Sequence, residues 1–273
     1  MRHLCLLLAL LPGLTHAAER IVTVAPNLTE LVCAVGACDK LVGVDRHSDY
    51  PESVRKIPRI GDAFNLNLEA VIALKPDLVL AWENGTDVQR MQRVQQLGLH
   101  VEWVKAGSLD EIGDALIQVG ALIGPTAQQA AALASRRYEQ RLRDLRIRRF
   151  KGRRLSVLYQ ADTQPLYTVN RNSPISEAIT LCGGQNAYAD LPQLAGIVGI
   201  ESVLARDPDV ILFPSELQEK TIRREWQRWP MLKAVKNDAL YAINDSLLAR
   251  AAPRMLDGIE QLCGVLEQAR KAP

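Results

Sequence analysis

Two α/β lobes bridged by one long rigid helix form the fold class this sequence predicts, and three observations carry the prediction. Residues 125–150 (PTAQQAAALASRRYEQRLRDLRIRRF) contain no Gly and no Pro beyond Pro125, and Ala, Gln, Arg and Leu, all good helix formers, dominate them. At a rise of about 1.5 Å per residue, Thr126–Arg149 spans roughly 36 Å, the width of a small domain. To either side, short apolar runs alternate with helical patterns. Finally, residues 67–80 (NLEAVIALKPDLVL) match residues 199–212 (GIESVLARDPDVIL) at six of fourteen positions, and half of the differences are conservative apolar swaps. Helix, Pro-Asp turn and buried strand thus occur once on each side of the bridge, as two related lobes would have them.

The domain reading that follows is a leader at 1–17, an N-terminal lobe at 18–124, the bridging helix at 125–150 and a C-terminal lobe at 151–273. The leader has the parts of a secretory signal: Arg2, the apolar run Leu4–Leu11, and a small-residue cleavage site at Thr15-His16-Ala17. That run is too short to span a bilayer, no later run reaches about 18 apolar residues, and no Cys stands at the cleavage point to take a lipid. The expectation is an exported, soluble protein.

In the first lobe, Ile21–Ala25 reads as a buried strand ended by Pro26, and Thr29–Val35 as a short helix with Asn27 as its N-cap. Leu41–Val44 is a strand. Leu68–Leu74 is a helix that turns through Pro76-Asp77 into the strand Leu78–Trp82. Thr86 caps the helix Asp87–Leu97, which Gly98 ends; Val101–Val104 is the next strand, and Ser108 caps the helix Leu109–Ile123. On the bridge, Leu133, Tyr138, Leu142 and Leu145 fall close to one face at helical spacing. The second lobe offers strands at Leu155–Tyr159, Leu166–Val169, Val210–Phe213 and Leu240–Ile243. Its helices fall at Pro174–Leu181, Ile200–Arg206, Thr221–Trp229 and Pro253–Ala269.

A formal net charge of +2 gives no case for nucleic acid. The basic run Arg146–Arg154 reads as a solvated helix end, where cations complement the dipole. No P-loop, G-x-G-x-x-G, G-x-S-x-G or H-E-x-x-H occurs, so catalysis has little support. His47, flanked by Asp45 and Asp49, is the one histidine that could act as base or ligand; a secreted metal-dependent enzyme using it is the distant alternative. No His lies near a Cys in zinc spacing, so no metal is assigned. After the leader four cysteines remain, an even number in an oxidising compartment, and three pairings are allowed. Cys33 and Cys38 either close a local loop or stand as buried free thiols.

Domain interfaces are favoured pocket positions, and in open parallel sheets ligands meet the loops after strand carboxyl ends. Those loops hold Tyr50, Asp62, Phe64, Trp82, Asn84 and Gly85 on the first side. On the second they hold Tyr167, Asn170 and Ser246, Leu247, Leu248, Ala249 and Arg250. Stiff aromatic area edged by polar groups suits a large, partly apolar guest. Glu69 and Glu201 occupy the same place in the repeat, in the first turn of their helices, and two related lobes would present them as matched acidic knobs to a symmetric partner.

The pieces IVTVAPNLTELVCAVGACDKLVGV, HSDYP, NLEAVIALKPDLVLAW, ESVLARDPDVIL, LCGGQN and APRMLDGIEQLC together resemble the periplasmic cobalamin (vitamin B12)-binding proteins of bacterial ABC-type uptake. Those belong to the helical-backbone, or class III, periplasmic binding proteins. The resemblance covers nearly the whole chain after the leader. It implies a non-enzymatic periplasmic receptor that captures a corrinoid between its lobes, as cargo and not as cofactor, and works as a monomer delivering to an ABC importer permease dimer. It also implies that Tyr50 touches the corrin, that Ser246–Arg250 form a contact loop, that Cys182 pairs with Cys263, and that Glu69 and Glu201 meet arginines on the two permease subunits. The family pattern has tryptophans where Ala63 and Ala195 stand, beside Phe64 and Leu194, and an Asp where Ser246 stands. Cys33 and Cys38 have no counterpart in it. The alternative within the same class is a haem or ferric-siderophore receptor.

Overall fold

The computed structural model describes residues 17–62, 65–148 and 152–271. The expected leader therefore lies outside the described residues, apart from Ala17, and so does Phe64. The N-terminal lobe runs β1 (Ile21–Thr23), α1 (Pro26–Ala34), β2 (Leu41–Val44), α2 (Leu68–Ala73), β3 (Leu78–Trp82), α3 (Val88–Gln96), β4 (Val101–Val104) and α4 (Leu109–Ile123). α5 (Pro125–Ile147) is the bridge. The C-terminal lobe follows with β5 (Leu155–Tyr159), β6 (Asp162–Thr163), β7 (Leu166–Val169), α6 (Pro174–Leu181), β8 (Gly184–Asn186) and β9 (Ala195–Ile197). It continues through α7 (Ile200–Arg206), β10 (Val210–Pro214), α8 (Glu219–Trp226), α9 (Lys233–Lys236), β11 (Leu240–Ile243), α10 (Asp245–Leu248) and α11 (Met255–Lys271).

Each lobe is built on a parallel four-stranded sheet, ordered β2-β1-β3-β4 in one and β8-β5-β10-β11 in the other. Counted from the first strand of each lobe, both orders read second, first, third, fourth, so the sequence repeat belongs to a repeated topology. The C-terminal lobe adds a small antiparallel sheet, β6-β7-β9.

The Pro-Asp turn of the repeat does the same work twice. Lys75 and Asp207, its equivalent positions, both sit at positive φ, 47° and 44°. The next Asp then locks onto the neighbouring strand. The Asp77 N–H donates to the Arg20 carbonyl at 3.0 Å, and its carboxylate accepts from the Arg20 N–H at 3.0 Å. The Asp209 N–H donates to the Ser156 carbonyl, and its carboxylate accepts from the Ser156 N–H, both at 2.8 Å. A charged acceptor on a backbone donor is the stronger kind of hydrogen bond, and it fixes the strand register in both lobes.

Side chains alternate across each sheet. Leu78 and Leu80 of β3, and Val210 and Leu212 of β10, enter one core that runs unbroken from the first lobe through α1, α4, α5 and α11 into the second. Val79 and Ala81 enter a separate core beneath α2 and α3, and Ile211 and Phe213 one beneath α7 and α8.

The bridge is one unbroken helix of 23 residues, as expected. It is not a free strut. Gly124 alone separates it from α4, in a backbone conformation (φ 133°, ψ −179°) open only to glycine. α5 then folds back along α4, and at their closest approach Gly120 leaves room for Ala131 and the Ala127 carbonyl. Its buried face is Ala127, Ala131, Ser135, Tyr138, Leu142 and Leu145; Leu133 is 56% exposed, contrary to expectation, because the helix docks through small residues. The Tyr138 hydroxyl donates to the Leu109 carbonyl at 2.7 Å, and Arg146 grips Asp110 with two bonds of 2.8 and 2.9 Å. Arg141 reaches Asp257 on α11 at 2.7 Å.

Four local expectations change. Pro26 opens α1 and does not merely end β1, so Asn27 is buried inside the helix and is not its cap. Asp87 caps α3, while the Thr86 hydroxyl accepts from the Trp82 N–H. α8 closes at Trp226, leaving Trp229 beyond it, and α11 begins at Met255. Both disulfides form: Cys33–Cys38 at the end of α1, and Cys182–Cys263 between the end of α6 and α11.

Candidate functional site: the facing loops of the two lobes

At the interlobe gap three segments face each other: α1, the loop after β2, and the stretch running from α10 into α11. On the first side the loop is held stiffly. The buried Asp45 carboxylate accepts from the His47 N–H at 2.7 Å, and the Ser48 hydroxyl joins a buried chain with Thr29 (2.8 Å) and Thr23. Burial pushes Asp45 above the usual carboxylate range, against the pull of the His47 N–H. On the second side Asn244 caps α10, and the Tyr159 hydroxyl donates to Asp245 at 2.5 Å. Gly258 lets α11 lie close against the Leu247 and Leu248 backbone, where a Cβ would stand 3.0 Å from the Leu248 nitrogen.

Two arginines four residues apart, in the link between α10 and α11, cross the gap. Arg250 donates to Asp49 at 2.5 Å, to Glu30 at 3.1 Å and to the His47 carbonyl at 3.0 Å. Arg254 holds Glu30 with a two-pronged grip of 2.9 and 2.6 Å, and its guanidinium lies 3.6 Å from the centre of the Tyr50 ring. The Glu30 side chain is 3% exposed and that of Arg250 12%. Two carboxylates and two guanidiniums leave no net charge, which makes the burial tolerable. Burial alone would lower Arg250; its bonds to Asp49 and Glu30 outweigh that and raise it. Burial alone would raise Asp49, and the Arg250 bond carries it below the usual carboxylate range.

Of the residues expected to line the cleft, Tyr50 and Arg250 are brought together here. Tyr50 keeps 45% of its surface open beside Arg254. Ser246 stands between Arg250 and Glu216, 3.4 Å from each. Leu247 is half-buried and Ala249 exposed, but Leu248 is buried in the core of its lobe and offers no face to a guest. Trp82, Asn84 and Gly85 form one tip after β3: the indole N–H donates to the Ala106 carbonyl at 3.2 Å, Gly85 packs against the ring, and Asn84 rests on Gly107. Asp62 pairs with Arg46 at 3.1 Å and accepts from the Asn65 N–H. Tyr167 is exposed on β7, and Asn170 is buried, its amide donating to the Leu191 carbonyl. At the carboxyl end of β5, a hollow of about 230 Å³ is lined by Gln160, Gln164, Ile200, Trp226 and Trp229 among others. A larger hollow of about 690 Å³ shares no residue with these loops; Arg146, Arg148, Arg154 and Arg171 line it with Glu177. Glu69 and Glu201 are both exposed, at the second position of α2 and α7. Among the described residues no group of three or more His, Cys, Asp or Glu could hold a metal.

Sequence reasoning passed over Glu30, Asp49 as a partner, and Arg254. A carboxylate within the mostly apolar stretch Leu28–Val32 and two arginines four residues apart were the available signals.

A family model described as periplasmic binding protein matches residues 21–247. Over 273 residues, covering 98% of this chain and 97% of the relative, the sequence is 36% identical to a vitamin B12-binding protein of Vibrio cholerae. The crystal structure of the periplasmic vitamin B12 binding protein of Vibrio cholerae superposes with a TM-score of 0.85 at 34% identity, covering 93% of this chain and 98% of that one. A periplasmic heme-binding protein from Roseiflexus sp. RS-1, in apo form, superposes with a TM-score of 0.82 at 24% identity, over 93% and 100% of the two chains, and shares the fold alone.

Proposed function

Because this chain belongs to the periplasmic binding protein family, we propose that it captures a corrinoid between its two lobes and delivers it to an ABC importer in the inner membrane. The chain is a periplasmic transport receptor and not an enzyme. The observation that carries the corrinoid reading is the identity of 36% along almost the full length of both chains to a protein whose name states vitamin B12. The haem-binding neighbour shares the fold at an identity too low to carry its ligand across.

In this reading the working units are the lobes 18–124 and 151–273, with residues 125–150 between them. Tyr50 offers its open surface to the corrin ring, and Ser246, Leu247, Ala249 and Arg250 meet the guest from the other lobe. Trp82, Asn84, Gly85, Asp62 and Tyr167 edge the cleft. With Ala63 and Ala195 where tryptophans are expected, the half-buried Trp229, on the hollow at the carboxyl end of β5, supplies aromatic area on the second side. Glu69 and Glu201 dock to the permease as a matched pair. Because α5 is seated on α4 and the inner core is shared by both lobes, capture proceeds with little closure; cooperative packing of that extent does not bend at a point.

Titration of the purified protein with cobalamin, cobinamide, haem and a ferric siderophore, followed by ligand absorbance and calorimetry, tests the reading. Saturable, one-to-one binding of a corrinoid is expected. Saturable haem binding with neither corrinoid bound would overturn it.

A further inference from the structure

We infer that Glu30, Asp49, Arg250 and Arg254 form an interlobe clasp that presets the cleft, and that Arg254 is a positioning residue that holds the Tyr50 ring for the guest. The clasp joins rigid bodies. Glu30 sits in α1, packed in the shared core, and Arg254 immediately precedes α11, packed in the same core from the other lobe. Its ion pairs all run between lobes: Glu30 and Asp49 on one side, Arg250 and Arg254 on the other. The cluster is neutral, and its Glu30–Arg250 centre is buried; a buried ion pair adds little net stability over well-packed apolar residues, and its best-attested use is to fix register between packed parts. Here the register it fixes is that of the two loops that face the cleft.

Arg254 does two jobs with one guanidinium. Its edge takes both oxygens of Glu30, and its face covers the Tyr50 ring at 3.6 Å. A lysine would keep the charge and lose both the fork and the flat stacking surface. Tyr50 is a loop side chain with 45% of its surface open, so without the guanidinium its ring would sample other rotamers and have to be ordered by the ligand. Ordering one side chain on binding weakens affinity by about three- to tenfold.

The positioning half rests on the corrinoid reading; the clasp half does not. The variants are R254K, E30Q and Y50A, with R254K also made in the Y50A background. Corrinoid affinity is measured by calorimetry, melting temperature in parallel, and backbone hydrogen exchange on the ligand-free proteins. R254K is expected to weaken cobalamin or cobinamide binding three- to tenfold in the wild-type background and to change nothing further in Y50A, since its effect passes through the ring. Equal weakening in both backgrounds, or none in either, overturns the positioning role. In the ligand-free proteins, E30Q and R254K are expected to speed exchange in residues 45–50 and 246–254 while leaving the outer strand β4 unchanged. Unchanged exchange in both segments overturns the clasp. A wild-type protein that binds no corrinoid would fail the ligand reading, and the exchange data would still decide the clasp. If E30Q does not fold, R254K decides it alone.

Discussion

The two disulfides should differ sharply in what they contribute, and the difference can be worked from their spacing. Cys182–Cys263 closes a sequence separation of 81, Cys33–Cys38 one of 5. In the chain-entropy account, cross-linking stabilises by removing loop-closure freedom from the unfolded ensemble, by about 4.5 kcal/mol for the long loop and about 2.2 kcal/mol for the short one at 25 °C. For a protein of this size each kcal/mol moves the melting temperature by roughly 2–4 °C. The double variant C182A/C263A is therefore expected to melt about 9–18 °C below the wild type, and C33A/C38A about 4–9 °C below. Both lose two sulfurs from packed positions beside the same inner core, so the packing cost largely cancels in the comparison. Calorimetry without reductant, with calorimetric and van't Hoff enthalpies compared to confirm a single transition, provides the reading. A short-loop variant that costs as much as the long-loop variant would refute the entropic reasoning and point to the end of α1 as the weak point of the fold.

Further predictions concern docking, pH and packing. E69K and E201K should each reduce corrinoid uptake by cells, and the pair should abolish it, with corrinoid affinity of the purified protein unchanged; loss of affinity would move these residues from docking to binding. Asp245 is pushed above the usual carboxylate range by burial, against the pull of the Tyr159 hydroxyl. A carboxylate raised in the folded state binds its proton more tightly there than in the unfolded chain. Its contribution is thus full below about pH 4 and is lost as pH rises through the raised value. D245N, which keeps an acceptor for Tyr159, should therefore gain stability over the wild type on going from pH 4 to pH 7 in denaturant titrations; a constant difference would contradict the assignment. G120V should drive α5 off α4, because a Cβ there meets Ala131 and stands 2.9 Å from the Ala127 carbonyl. Overpacking of about 1–3 kcal/mol is expected, read as a lower denaturant midpoint, and an unshifted midpoint would show that the helices are not in contact at that position.

Much of this fold was legible because its signals are local. Ser108 before an apolar-periodic run located α4 to the residue, with the Ser108 hydroxyl accepting from the Glu111 N–H as an N-cap should. Runs such as Leu78–Trp82 and Leu155–Tyr159 announce strands, and the Pro-Asp repeat announces two related lobes; that the strands pair in parallel is seen in the structure. β8 and β9 were not legible, because Gly184–Asn186 and Ala195–Ile197 are three residues each and carry no apolar alternation; only pairing with β5 and β7 makes them strands. The buried face of α5 was misjudged at Leu133 because large apolar residues were sought where close helix approach requires Ala, Ser and Gly. At the site, the loops that hold Tyr50 and Arg250 were legible. Their coupling was not, since it joins Glu30 to Arg254 across 224 positions and no local pattern encodes a partner at that distance.

The most direct test of the receptor account is the crystal structure of the protein with cobalamin bound. The account expects the corrin ring to lie against Tyr50 on one side and residues 246–250 on the other, with free and bound lobes superposing as one body along an unbroken α5. A corrinoid seated elsewhere, in the arginine-lined hollow for instance, or lobes swung together about a bend in α5, would contradict it.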